Sequence, residues 1–120
     1  MKIKAIGFVA IPVTDVKRAR SFYENVLGLK VSDEMMGGKW IEYAVGPDML
    51  AITNVGEHWK PSRDGTTVAF EVEDMDAAIA KLKERGVIFD LEKTETPVCW
   101  MAQFRDPDGN KLVVHKRKSK

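Results

Sequence analysis

Apolar and polar positions alternate early in the chain, where Val9, Ile11 and Val13 interleave with Phe8, Ala10 and Pro12, a period of two that predicts a β-strand. The period then lengthens. Val16, Ala19, Phe22, Tyr23, Val26 and Leu27 recur at helical spacing, leaving Lys17, Arg18, Arg20 and Glu24 for solvent. Thr14 or Asp15 can cap this helix, because its side-chain oxygen accepts from the unpaired first N–H groups, and Gly28 ends it. Residues 29–35, 39–45 and 49–53 return to strand patterning and predict three antiparallel strands, with Gly37-Gly38 and Gly46-Pro47-Asp48 as turns. Residues 55–65 lose all periodicity and carry Gly, Pro and charges, so they read as a connection, with His58 a linker residue in water.

The second half repeats the plan. Val68-Ala69-Phe70-Glu71-Val72-Glu73-Asp74 answers Val9-Ala10-Ile11-Pro12-Val13-Thr14-Asp15 position for position. A strand over 66–73, a cap at Asp74, a helix with Met75, Ala78, Ile79 and Leu82 inward and a stop at Gly86 follow in order. Strands are predicted near 87–93, 98–105 and 111–116, and Asp106-Pro107-Asp108-Gly109 suits a type I turn between the last two. The fold class is therefore α+β. Two βαβββ modules related by pseudo-twofold symmetry would form a curved mixed sheet, with helices on its outer face and a central cleft. The expected organisation is one domain over 1–120, made of module one (1–54), a linker (55–65), module two (66–116) and a basic tail (116–120).

Composition narrows the function classes. The 120 residues are 44% apolar and 31% charged, which suits a globular domain with a real core. A net charge of +1 supplies no field for nucleic acid or an anionic membrane, and the tail cations Lys116, Arg117, Lys118 and Lys120 read as a solubilising end. Cys99 is the sole cysteine, so no internal disulfide forms. Residues 1–7 lack a secretory pattern and no run approaches the roughly 20 apolar residues of a membrane span. A cytoplasmic location is the expectation.

Several stretches coincide with one family. Asp15, Arg18-Ala19, Phe22-Tyr23-Glu24 and Leu27-Gly28-Leu29, then Ala69-Phe70-Glu71-Val72, Asp74, Leu82, Gly86 and Phe104-Arg105-Asp106-Pro107-Asp108-Gly109-Asn110, resemble the vicinal oxygen chelate superfamily over essentially the whole chain. That superfamily includes glyoxalase I, bleomycin-resistance proteins, fosfomycin-resistance enzymes and extradiol dioxygenases. The resemblance implies four metal-ligand positions, which fall here on Phe8, Ala51, Thr67 and Val113. Three of these side chains carry no donor and a lone threonine hydroxyl is too weak to hold a transition metal, so neither metal nor cofactor is expected. Displaced donors remain as an alternative, namely Glu42, Glu71, His115, Cys99 and His58. The resemblance also implies a homodimer, which would cover exposed strand edges.

Strand parity sorts the expected cleft lining. Phe8, Ala10, Trp40, Glu42, Ala51, Thr53, Thr67, Ala69, Cys99, Met101, Gln103, Val113 and His115 lie opposite the helix-facing set. Of these, Phe8, Trp40, Glu42, Ala51, Thr67, Met101, Gln103, Val113 and His115 are the candidate ligand-binding residues, an apolar wall with a few polar groups. The other reading has Phe8, Met101 and Val113 simply filling the space between modules, and Cys99 as a small buried hydrophobe. Glu42 and His115 are the candidate catalytic groups, a carboxyl raised by an apolar cleft beside an imidazole, against a rim glutamate and a histidine opening the tail. The expected function is metal-free binding or sequestration of a small apolar or aromatic molecule, closer to the bleomycin-resistance branch than to glyoxalase I. Bleomycin itself suits poorly, since only Glu42 and Glu71 are candidate lining acids. The alternative is a lyase, isomerase or dioxygenase using displaced ligands or Glu42/His115 acid–base chemistry, and a third reading is an interaction subunit with a filled cleft.

Overall fold

A computed structural model describes residues Met1–Ser119. The chain divides into two compact units, Met1–Pro61 and Ser62–Lys120, a boundary inside the aperiodic connection expected over 55–65.

Unit one carries β1 (Val9–Pro12), α1 (Val16–Arg20) continuing as a π-helical segment (Ser21–Val26), β2 (Val31–Met35), a 3₁₀ turn (Met36–Gly38), β3 (Trp40–Val45) and β4 (Asp48–Thr53). Its mixed sheet has the order β1-β4-β3-β2, with β1 parallel to β4 and the other pairs antiparallel. Unit two repeats this with β5 (Val68–Glu71), α2 (Met75–Glu84), β6 (Leu91–Glu95), β7 (Cys99–Arg105) and β8 (Lys111–Arg117), ordered β5-β8-β7-β6. Register is repeated too. Ala10 pairs with Ala51 in one unit and Ala69 with Val113 in the other.

The helix starts follow the sequence. Asp15 and Asp74 hold extended backbone angles and accept from the N–H groups of Arg18 and Ala77 at 3.1 and 2.9 Å. The helix ends displace two expected strands. Leu29 and Val87, each just after a glycine at positive φ, donate back to Tyr23 and Leu82 carbonyls at 3.0 and 2.9 Å. These residues close the helices, so β2 and β6 begin at Val31 and Leu91 rather than at 29 and 87. The basic tail likewise begins later than 116. Lys116 and Arg117 belong to β8, where they pair with Trp100 and Cys99. Lys118 bonds Glu95 and lies 4.8 Å over the Trp100 ring, while Lys120 lies outside the described residues.

Period-two alternation fixes which sheet face packs on the helix. In unit one Ile11, Ile41, Tyr43, Leu50 and Ile52 are buried with Ala19 and Tyr23, and the Tyr23 and Tyr43 rings stack at 6.2 Å. A one-residue slip of β3 would turn Ile41 and Tyr43 outward, at about 1.5–3 kcal/mol for each large apolar side chain exposed. The Tyr43 hydroxyl donates to Glu24 at 2.8 Å, and Arg20 Nε donates to the same carboxylate at 2.7 Å. In unit two Met75, Ile79 and Leu82 pack with Phe89, Ala102, Phe104, Leu112 and Val114. No helix among the described residues is long and apolar enough to cross a membrane.

Candidate functional site

The sheet face of unit one turned away from α1 carries two rows set by register. Ala10, Ala51 and Glu42 form one, and Pro12, Thr53 and Trp40 the next. Small residues in the first row leave room for large ones beside them. The Phe8 ring meets Trp40 edge-on at 5.3 Å, and the Trp59 ring lies tilted against Trp40 at 5.6 Å. Trp40 is thereby buried at 8% exposure, whereas Phe8 and Trp59 stay 48% and 40% exposed. The Trp40 indole N–H donates to Glu42 Oε2 at 2.9 Å, so its one polar atom is satisfied.

An open groove of about 400 Å³ runs along this face, lined by Phe8, Ala10, Pro12, His58, Trp59 and Lys60. Of the expected binding residues, Phe8 lines it directly and Trp40 stands behind its aromatic wall. Ala51, fully buried, lies beside Ala10 on the neighbouring strand and is not among the groove-lining residues. His58, read from the sequence as a linker residue in water, contributes to the wall with Trp59 and Lys60. Trp59 lies in a segment without periodicity, so alternation gave it no place in the wall. A tryptophan inside a Gly-, Pro- and charge-rich stretch was the available signal, because a ring that large needs an apolar partner.

On the corresponding face of unit two, Ala69, Val113 and Gln103 share one row and Glu71, His115 and Met101 the next. Val113 is buried, Met101 and Gln103 are half-buried, and Thr67 is exposed just ahead of β5. The Gln103 amide donates to Asp90 at 3.0 Å. Cys99 is buried against the Thr96 hydroxyl. Glu42 and His115, the candidate acid and base, carry different partners: Glu42 holds Trp40, while His115 Nδ1 contacts Glu71. Glu71 also accepts the Arg117 backbone N–H at 2.9 Å. That bond first, and His115 second, hold its carboxyl below the usual range.

The four positions implied as metal ligands do not fit a transition metal. Phe8 and Ala51 in one unit and Thr67 and Val113 in the other supply a single weak hydroxyl between them. Among the described residues, no three His, Cys, Asp or Glu side chains are grouped to hold a metal ion.

Residues 5–114 match the family model described as the Glyoxalase/Bleomycin resistance protein/Dioxygenase superfamily. The Bacillus subtilis (strain 168) protein YetH is 32% identical, over 93% of this chain and 98% of its own. Metallothiol transferase FosB of Shouchella clausii (strain KSM-K16) is 28% identical, over 94% of this chain and 80% of its own. Among solved structures, TnmS3, an antibiotic binding protein from Streptomyces sp. CB03234, superposes with a TM-score of 0.84 at 26% identity, covering 98% of this chain and 99% of that one.

Proposed function

This chain belongs to the Glyoxalase/Bleomycin resistance protein/Dioxygenase superfamily, and on that footing we propose that it binds and sequesters a small planar aromatic molecule in the unit-one groove without a transition metal. The observation that carries this reading is the aromatic wall: two half-exposed rings, Phe8 and Trp59, braced on the buried Trp40 over the small residues Ala10 and Pro12. Rings left in water along a groove are available for stacking, and exposed apolar surface of this kind marks ligand sites. Lys60 at the same wall favours a ligand that carries an anionic group.

The antibiotic-binding description of TnmS3 supports the same class of ligand. Metal-free binding would separate this chain from chemistry of the kind named in metallothiol transferase FosB, because three apolar side chains and a lone threonine hydroxyl stand where ligands would be needed. A titration with anthraquinone sulfonate, followed by quenching of tryptophan fluorescence, tests the reading, since Trp40 and Trp59 both report on the groove.

The assembly that goes with this reading is a homodimer. β2 ends its sheet with every residue exposed, Val31 and Met35 among them, and an edge of that kind is normally covered. Light scattering is expected to give twice the chain mass of 13.5 kDa.

A further inference from the structure

We propose that Glu71 and His115 form a proton-accepting pair on the unit-two sheet face, which takes up the acidic proton of a phenolic or enolic hydroxyl. The two residues are register partners on the parallel strands β5 and β8, so their side chains leave the same face side by side. Glu71 Oε1 contacts His115 Nδ1, and Oε2 accepts the Arg117 backbone N–H, so both carboxylate oxygens are fixed by β8. An ionised carboxylate only accepts. Nδ1 is therefore the donor, and in the neutral ring Nε2 is the acceptor. Nε2 has no partner among the described residues, and the His115 side chain keeps 29% of its surface open.

The internal repeat shows that the module does not need this pair to stand. At the equivalent register row of unit one the residues are Pro12 and Thr53. The Thr53 hydroxyl is spent locally, donating to the Lys39 carbonyl at 2.8 Å and accepting from the Val55 N–H at 3.1 Å. One copy of the row is thus a structural filler and the other holds a base with an oriented lone pair. Met101, the register partner of His115 on β7, and Ala69 one row away give apolar surface for an aryl ring beside that nitrogen.

The step balances without a co-reactant. The hydroxyl proton moves to Nε2, the O–H pair stays on the ligand oxygen, and the imidazolium formed is stabilised by the Glu71 carboxylate. The proposal stands apart from the aromatic groove, whose residues it does not use.

para-Nitrophenol tests it, because its phenolate absorbs at a longer wavelength than the phenol. At a pH where the free probe is mostly protonated, the full chain is expected to raise a saturable phenolate band. His115→Gln is expected to abolish the band, and Glu71→Gln, at an exposed site that keeps the fold, to weaken its affinity about tenfold as the charge on the acceptor is lost. Imidazole nitrogen NMR is expected to place the His115 proton on Nδ1 in the wild-type chain. Absence of the band with the wild-type chain, a band that His115→Gln leaves intact, or a proton on Nε2 would each overturn the proposal and leave a surface ion pair only.

Discussion

Trp40 donates its indole N–H to Glu42 Oε2 at 2.9 Å, two residues further along the same strand and on the same face. The bond orients the ring on which Phe8 and Trp59 rest, so a carboxylate outside the groove lining helps set the geometry of the aromatic wall. Glu42→Leu leaves the indole N–H of a nearly buried ring unsatisfied and is expected to cost about 1–3 kcal/mol in urea unfolding. Glu42→Gln keeps an acceptor and is expected to cost less.

Trp59→Ala weighs on binding more than on the fold. The ring is 40% exposed and sits in an irregular segment, but its removal also uncovers part of Trp40, so the urea midpoint is expected to fall modestly while the fold is kept. Its loss from the wall is expected to weaken anthraquinone sulfonate about tenfold, the order of a lost aromatic contact of about 1–1.5 kcal/mol. Fluorescence quenching measures the affinity and circular dichroism the fold.

Glu24 gives a pH dependence with a definite sign. Burial pushes its carboxyl up, but the hydrogen bonds from Arg20 and Tyr43 outweigh burial and hold it below its ordinary value of 4.5. A carboxyl depressed on folding stabilises the protein above the unfolded value, and that contribution is lost as pH falls through the lower folded value. Urea midpoints are expected to fall between about pH 5 and pH 2, and to fall less steeply in Glu24→Gln. Glu71, Asp90 and Glu95 are shifted the same way, so the variant removes part of the slope rather than all of it.

The parts of the fold legible in the sequence were those set by local chemistry. Asp15 and Asp74 sit ahead of their helices because a side-chain oxygen there satisfies orphan N–H groups. Ile41 and Tyr43 face the helix because alternation leaves them no other side. The π-helical segment Ser21–Val26 was hidden, since Phe22 and Val26 are four apart and fit an α-helical face equally well. Trp59 was hidden because an irregular segment has no period to read. The Glu71–His115 contact was hidden for another reason: it depends on the register of two parallel strands far apart in the chain, which no local pattern encodes. Alternation placed His115 on a face without showing which acid lay beside it.

Aromatic binding in the unit-one groove without a metal is measured by calorimetric titration of chelator-dialysed protein with anthraquinone sulfonate. Ala10→Trp is the decisive variant, because Ala10 lines the groove and is only half-buried, so an indole there fills the groove rather than the core. Saturable binding is expected with wild-type protein that elemental analysis shows to be free of transition metal, with no change on adding zinc or manganese and with loss of binding in a folded Ala10→Trp variant. Binding that appears only after metal is restored, or that Ala10→Trp leaves intact, would contradict metal-free binding in this groove.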